Sequence, residues 1–250
     1  MPKLVMFDLD GTLTVSKQPL TGEMAGLLAT LLERTKVAVV SGGALPQYLS
    51  QVVARLPEGA NLANLYILPT SGSALYEYRN TDWSKIYEEH IPEEDAKKIE
   101  AAARSGAEAT GLVDFSAPAW GQRIEYRGSQ VTLSALGQQA PPGEKAKWDP
   151  DKSKRLTIRE EIQKRLPEGY SAAMGGATSI DITKTGVDKA YGIHQLCERL
   201  HLAESDALYV GDQLVEGGND EAVFRTDAVT HPVSSLEDTE TLIRGLLAGA

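Results

Sequence analysis

The amino-acid sequence predicts an α/β fold, a doubly wound parallel sheet with an α+β module inserted into it. Three observations carry this prediction. Short apolar runs at residues 4–7, 36–40, 65–68 and 207–210 read as strands buried on both faces, as strands of parallel sheets are. Between the first two runs, Met24, Leu27, Leu28, Leu31 and Leu32 recur at helical spacing, which makes a βαβ unit. From about residue 82 to 184 the alternation gives way to hairpins and helices without parallel crossovers. The expected division is a core of residues 1–81 and 185–250 with an inserted module of residues 82–184.

In chain order, the first strand is followed at once by Gly11, which frees the backbone to turn. The second strand ends at Ser41-Gly42-Gly43, and a helix is expected over 45–56 before the strand 65–68. Residues 74–78 and 84–88 flank a polar turn at 80–82 and read as a hairpin, and 93–104 read as a helix. Residues 123–127 and 131–136 flank Gly128-Ser129-Gln130 as a second antiparallel hairpin. The stretch 138–147, with Pro141-Pro142-Gly143, reads as a loop. A charged helix over 151–166 and strands at 170–174 and 179–183 complete the module. The α/β pattern resumes with a helix over 188–200 and the strand 207–210.

Composition narrows the function. With 250 residues, 42% of them apolar, the chain can bury a sizeable core. A net charge of −10 argues against nucleic acid and anionic membranes as partners, and an anionic substrate then needs a local metal ion or a Lys/Arg cluster. No apolar run reaches the ~18 residues of a membrane helix, and Met1-Pro2-Lys3-Leu4 offers no signal-peptide h-region, so a cytoplasmic protein is expected. Cys197, the single cysteine, excludes an intrachain disulfide and a cysteine-rich zinc site. With Ala190, Ile193 and Leu200 on its helical stripe it reads as a core thiol. His90, His194, His201 and His231 have no metal-ligand spacing.

The reactive residue types gather where strands stop. Asp8 and Asp10 follow the first apolar run directly, at the C-terminal tip where open α/β sheets hold their ligands. Two apart in extended chain, their side chains start on one face and address one small volume. Crowded carboxylates repel; a Mg²⁺ ion relieves one and leaves the other as a proton donor or acceptor. A solvated turn can also carry two acids, so the pair alone does not decide. Ser41 and Gly42 close the second strand with a hydroxyl and flexible backbone able to hydrogen-bond a phosphate. Asp212 stands at a third strand tip, ahead of Gly217-Gly218-Asn219-Asp220. That glycine pair lacks G-x-G-x-x-G spacing, and acids there would repel a pyrophosphate, which weakens a dinucleotide-loop reading. Asp8, the backbone carbonyl of Asp10 and Asp212 instead offer three hard oxygens suited to Mg²⁺.

The run Asp8-Leu9-Asp10-Gly11-Thr12 resembles D-x-D-G-T, the first motif of the haloacid dehalogenase superfamily of phosphotransferases. Ser41, Lys189 just inside a helix, and Asp212 with Asn219-Asp220 resemble its other motifs in order, and the inserted module resembles its type-IIB cap. The resemblance implies a Rossmann-like core, Asp8 as the nucleophile that forms an aspartyl phosphate, and Asp10 as general acid and base. It further implies phosphate binding by Ser41 and Gly42, charge neutralisation by Lys189, and Mg²⁺ on Asp8, Asp10 and Asp212 backed by Asn219 and Asp220. Within the superfamily the chain most resembles the eukaryotic-type phosphomannomutases. Residues 8–14, 211–220 and 178–189 follow that family's D-V-D-G-T-L-T, G-D-K-T-M-P-G-G-N-D and I-S-F-D-V-F-P-D-G-W-D-K. Residues 121–137 resemble its cap stretch G-T-F-I-E-F-R-N-G-M-L-N-V-S-P-I-G, and Ser179 and Asp181 match cap residues that hold the sugar phosphate. A homodimer through the cap is one assembly open to such a chain.

Three departures shape the expected reaction. Trp120 and Gln138 stand where the family has arginines flanking the cap stretch, and Lys17 replaces an arginine after the catalytic loop. A mutase must hold a sugar bisphosphate by its second phosphate, and neutral residues cannot make bidentate charge-assisted bonds. Arg123 and Arg127, four apart on one hairpin face, are the remaining candidates for that grip. The expected activity is a Mg²⁺-dependent phosphatase of sugar phosphates; the alternative is a mutase interconverting hexose 1- and 6-phosphates. A phospho-accepting signalling module would also cluster acids, a Ser/Thr and a Lys, but would carry no large insertion.

Overall fold

The chain opens with β1 (Leu4–Phe7), α1 (Gly22–Leu32), β2 (Lys36–Val40), α2 (Leu45–Gln51), β3 (Leu65–Leu68) and the hairpin β4 (Ala74–Arg79) and β5 (Asp82–Glu88). Then come α3 (Glu93–Ala109), β6 (Ile124–Tyr126), β7 (Val131–Ser134), α4 (Pro142–Trp148), α5 (Ser153–Gln163), β8 (Tyr170–Met174) and β9 (Ser179–Lys184). It closes with α6 (Lys189–Leu200), β10 (Ala207–Gly211), β11 (Val229–Pro232) and α7 (Leu236–Ala248). The structure is a computed structural model and describes residues 1–249. It divides into two compact units, Met1–Glu88 with the chain from Asp188 on, and Glu89–Val187.

In the first unit seven strands form one sheet in the order β11-β10-β1-β2-β3-β4-β5. The first five run parallel, and β4 and β5 add an antiparallel edge. Successive side chains of a strand point to opposite faces, and both faces of β1 are apolar because both are covered. Val5 and Phe7 join Val37, Val39, Leu28, Tyr48 and Ile243 on one side. Leu4 and Met6 join Ala38, Val40, Ile193 and Leu196 on the other. The chain winds from β1 to β3 in one direction and returns to β10 and β11 on the other side of β1, so the order reverses between β1 and β10. That reversal opens the crevice in which α/β sheets bind ligands.

The structure moves the hairpin strand β5 from the inserted module to the core sheet. Asn80 and Thr81 both take positive φ, the two-residue turn that matches strand twist, and β5 pairs along the whole of β4. The core therefore runs to Glu88, where residues 82–184 were expected as the insertion. The helix expected over 45–56 stops at Gln51 and continues as a short 3₁₀ turn, Val53–Arg55.

The second unit carries an antiparallel sheet in the order β6-β7-β9-β8. One face is apolar: Val131, Leu133, Ile180 and Ile182 pack on Ile99 and Ala103 of α3 and on Ile158 and Ile162 of α5. The alternate positions are polar, and the register lines Glu125, Thr132 and Asp181 up as cross-strand neighbours on that other face. The stretch 138–147, expected as a loop, contains α4. Pro142 occupies its first helical position, where a proline's missing N–H costs nothing, so Pro-Pro-Gly here starts a helix.

Cys197 lies on the buried stripe of α6 at 2% exposure. Burial pushes its thiol up to about 11, and the nearby charges of Glu204 and Asp206 add to the effect. Such a shift leaves on the order of a hundredfold less thiolate at pH 8 than an ordinary cysteine has. Ellman's reagent is therefore expected to label the native chain at least about a hundred times more slowly than the unfolded chain. Equal rates would contradict the burial of this stripe.

Candidate active site

β1 ends beside its neighbours in register: Phe7 pairs with Val39 of β2 and Val210 of β10. The next residues out of the sheet are Asp8, Val40 and Gly211, and then Leu9, Ser41 and Asp212. Three parallel strands thus deliver Asp8, Ser41 and Asp212 to one edge of the sheet. Asp8 is still tied to the ladder, its N–H donating to Val210 carbonyl at 2.9 Å, and it is fully buried. Beyond it the chain doubles back, with Leu13 and Thr14 N–H groups donating to Leu9 carbonyl and Gly11 N–H to Thr14 carbonyl at 2.7 Å. Gly11 sits at φ +94°, and a Cβ there would lie 2.7 Å from Asp212 Oδ2. Only glycine lets this turn close against the carboxylate. Asp10 is less buried, and its Oδ1 accepts the Lys17 N–H at 2.8 Å.

Lys189 reaches this edge from the first turn of α6. Asp188 caps that helix, accepting from Ala190 N–H at 2.9 Å and Tyr191 N–H at 3.3 Å, and so sets where the lysine begins. The Lys189 ammonium bridges two buried carboxylates, 2.6 Å from Asp8 Oδ1 and 2.6 Å from Asp220 Oδ1. Burial alone would favour a neutral lysine, but the negative charges of Asp220 and Asp8 outweigh it and hold the ammonium. Tyr209, from inside β10, donates to the same Asp220 Oδ1 at 2.5 Å. Gln213 backbone N–H donates to Asp220 Oδ2 at 3.1 Å.

The charge balance is short of cations. Burial pushes the Asp8 carboxyl well above the usual carboxylate range; Lys189 opposes this and the charges of Asp220 and Asp212 reinforce it. Burial likewise raises Asp212, opposed by the hydrogen bond from Gln213. Two of their oxygens, Asp8 Oδ2 and Asp212 Oδ1, are buried without a hydrogen-bond partner, and Asn219 Oδ1 and Thr12 Oγ1 share that condition. Orphaned buried carboxylate oxygens in one crevice are the donor set that a hard divalent cation satisfies. No three acidic, histidine or cysteine side chains among the described residues group as metal ligands. The fit is therefore two carboxylates, Asp8 and Asp212, with Asp10 able to add its backbone carbonyl and water to complete the shell.

The structure brings Asp8, Lys189 and Asp220 into direct contact and sets Ser41, Gly42, Asp10, Asp212 and Asn219 on the neighbouring strand tips and turns. Ser41 is held from behind, its carbonyl 2.9 Å from the Tyr48 hydroxyl and 2.8 Å from the Ser71 N–H. Tyr209 and Gln213 were not among the expected residues. A tyrosine within the otherwise aliphatic run Ala207-Leu208-Tyr209-Val210 was the available signal, because a buried phenol must find a partner.

The remaining expected residues lie in the second unit. Asp181 Oδ1 accepts the Thr132 hydroxyl at 2.8 Å, and Ser179 opens β9 on the same face as Asp181. Arg123 and Arg127 are engaged locally. The Arg123 guanidinium donates to the carbonyls of Ala135, Ala117 and Pro118 at 3.0, 3.1 and 3.4 Å. Arg127 donates to Glu125 at 2.6 Å and to Gln138 Oε1 at 3.1 Å. Trp120 is 44% exposed, with its backbone pinned to Leu136 and Gln139.

The family model for eukaryotic phosphomannomutase matches residues 24–249. The chain belongs to the eukaryotic phosphomannomutase family. A probable phosphomannomutase of Caenorhabditis elegans is 27% identical to this family member over 255 residues, covering 98% of this chain and 95% of its own length. The phosphomannomutase of Saccharomyces cerevisiae is 26% identical over 254 residues, covering 97% and 93%. A haloacid dehalogenase-like hydrolase from Bacteroides thetaiotaomicron shares the fold at a TM-score of 0.63 and 15% identity, covering 98% of this chain and 100% of the other. Membership of the phosphomannomutase family makes the chain a haloacid dehalogenase superfamily enzyme, with an α/β core sheet and a separate antiparallel cap sheet. No helix among the described residues is long and apolar enough to cross a membrane.

Proposed function

We propose that this chain is a Mg²⁺-dependent sugar-phosphate phosphotransferase with Asp8 as nucleophile, and that its net reaction is the interconversion of hexose 1- and 6-phosphates. The observation that carries the chemistry is the Lys189 ammonium bridging Asp8 and Asp220 beside the open oxygens of Asp8 and Asp212. The Asp8 carboxylate attacks phosphorus while the bond from phosphorus to the sugar oxygen breaks. Asp10 gives that oxygen its proton, and Lys189, Ser41 and Gly42 hold the transferring phosphoryl group. A bound Mg²⁺ supplies charge neutralisation of the phosphoryl oxygens. In the second half, another sugar hydroxyl gives its proton to Asp10 and takes the phosphoryl group from Asp8. Ser179 and Asp181 orient the sugar from the cap.

Transfer to sugar now stands ahead of hydrolysis. The sequence favoured the phosphatase on the strength of Trp120 and Gln138, whereas family membership and full-length relatives named phosphomannomutase favour the mutase. Hydrolysis remains as the second reading, because Trp120 is neutral and exposed, Arg123 is spent on backbone carbonyls and Arg127 is paired with Glu125. Each missing charge-assisted contact would weaken the hold on a second phosphate by about 1.5–3 kcal/mol, tenfold or more.

A panel of hexose phosphates, assayed for free phosphate and isomerised product with and without a sugar 1,6-bisphosphate activator, separates the two. Isomerisation exceeding phosphate release is expected. The reverse ratio would replace the mutase by the phosphatase, and no activity on any hexose phosphate would remove both. Trp120→Arg is expected to raise the fraction of phosphoryl groups that end on sugar. Position 138 is a poorer place to add charge, because an arginine there would meet Arg127 where Gln138 now accepts its hydrogen bond.

A further inference from the structure

Asp212 presents its two oxygens to different surroundings. Oδ1 is buried with no partner, while Oδ2 accepts the side-chain amide of Gln213 at 3.0 Å and faces Gly11 closely enough that a Cβ there would lie 2.7 Å away. The backbone that carries this amide is firmly mounted. Gln213 N–H is held by Asp220 Oδ2 at 3.1 Å, and its carbonyl accepts the Val215 N–H at 2.9 Å. The loop then folds so tightly on this residue that a Cβ on Gly218 would lie 2.1 Å from the Gln213 carbonyl oxygen.

We infer that Gln213 is a positioning residue of the metal site: it pins one oxygen of Asp212 so that the other stays turned toward the ion. The inference rests on the Mg²⁺ reading above. A carboxylate free to turn about its last torsion exchanges its oxygens, and a donor fixed on one of them removes that freedom before the ion arrives. A neutral amide does this without adding positive charge next to a cation.

The test titrates MgCl₂ into the metal-free full chain by calorimetry, comparing the parent with Gln213→Leu, Gln213→Met and Asp212→Ala. Loss of a partner behind a metal ligand typically costs 10–100-fold in affinity, so both Gln213 variants are expected to raise the Mg²⁺ Kd by about tenfold or more. Their metal-free melting temperatures should fall by no more than about 5 °C, the scale of one lost hydrogen bond in a chain of this size, and their turnover should return at saturating Mg²⁺. A merely structural role would lower the metal-free melting temperature further than that and would leave turnover low at saturating Mg²⁺, which would overturn the inference. It is also overturned if both Gln213 variants bind Mg²⁺ within twofold of the parent while Asp212→Ala does not bind. If Asp212→Ala itself binds like the parent, the metal reading fails and the inference with it.

Discussion

Asp8→Asn is expected to end turnover, with a fall of roughly 10⁴-fold or more, the scale on which loss of a covalent nucleophile is felt. The substitution keeps size and shape and removes only the anionic oxygen that would bond to phosphorus. Lys189 retains Asp220 as a partner, so the ammonium is not stranded. The unfolding midpoint separates lost chemistry from lost fold, and intact-mass analysis after a brief exposure to substrate should find the phosphorylated chain in the parent alone. Phosphoenzyme or parental turnover in the variant would move the nucleophile elsewhere.

Lys189→Met is expected to damage stability as much as catalysis. The ammonium is bonded to both Asp8 and Asp220, and all three side chains are almost wholly buried. Removing one member of such a cluster leaves uncompensated buried charge, a cost of about 3–5 kcal/mol. For a chain of this size that corresponds to a fall of roughly 6–20 °C in melting temperature, measured without metal. Phosphoryl transfer should fall with it, because the charge that balances the nucleophile and the phosphate is gone. A destabilisation below about 1 kcal/mol would mean that the two carboxylates take up protons cheaply and that the lysine does not hold the site together.

The parallel strands were legible because burial on both faces leaves unbroken apolar runs such as Leu4-Val5-Met6-Phe7, and the run's end marks the strand tip. Asp8, Ser41 and Asp212 were legible for the same reason, as polar residues that interrupt such runs. Lys189 was not, since a lysine at a helix start usually faces solvent; only the ordered resemblance to known motifs singled it out. Gln213 was invisible because its significance lies in a hydrogen bond to its neighbour's side chain. β5 was assigned to the wrong unit because a hairpin's pattern says what it pairs with first and not which sheet it extends. β11 and α7 went unread for different reasons. β11 is an exposed edge with a weak Val-Thr-His-Pro pattern, whereas α7 carries a plain N-terminal signal in Ser235, whose hydroxyl accepts the Asp238 N–H.

The central position of β1 has a consequence for how the molecule is made. Leu4 pairs with Lys36 on one side and with Ala207 on the other, so on a nascent chain β1 waits for β10 until the whole of Glu89–Val187 has been made. Parallel pairing over such a separation must meet its loop-closure cost before any contact rewards it, which makes it slow. The unit Glu89–Val187 is continuous in sequence and can close on its own contacts as soon as it emerges. On the ribosome the module therefore precedes the domain that contains it, and β1–β3 spend that interval as apolar strands with an unpaired edge. Chaperone demand and aggregation on overexpression should concentrate in that interval, before Lys189 and β10 arrive.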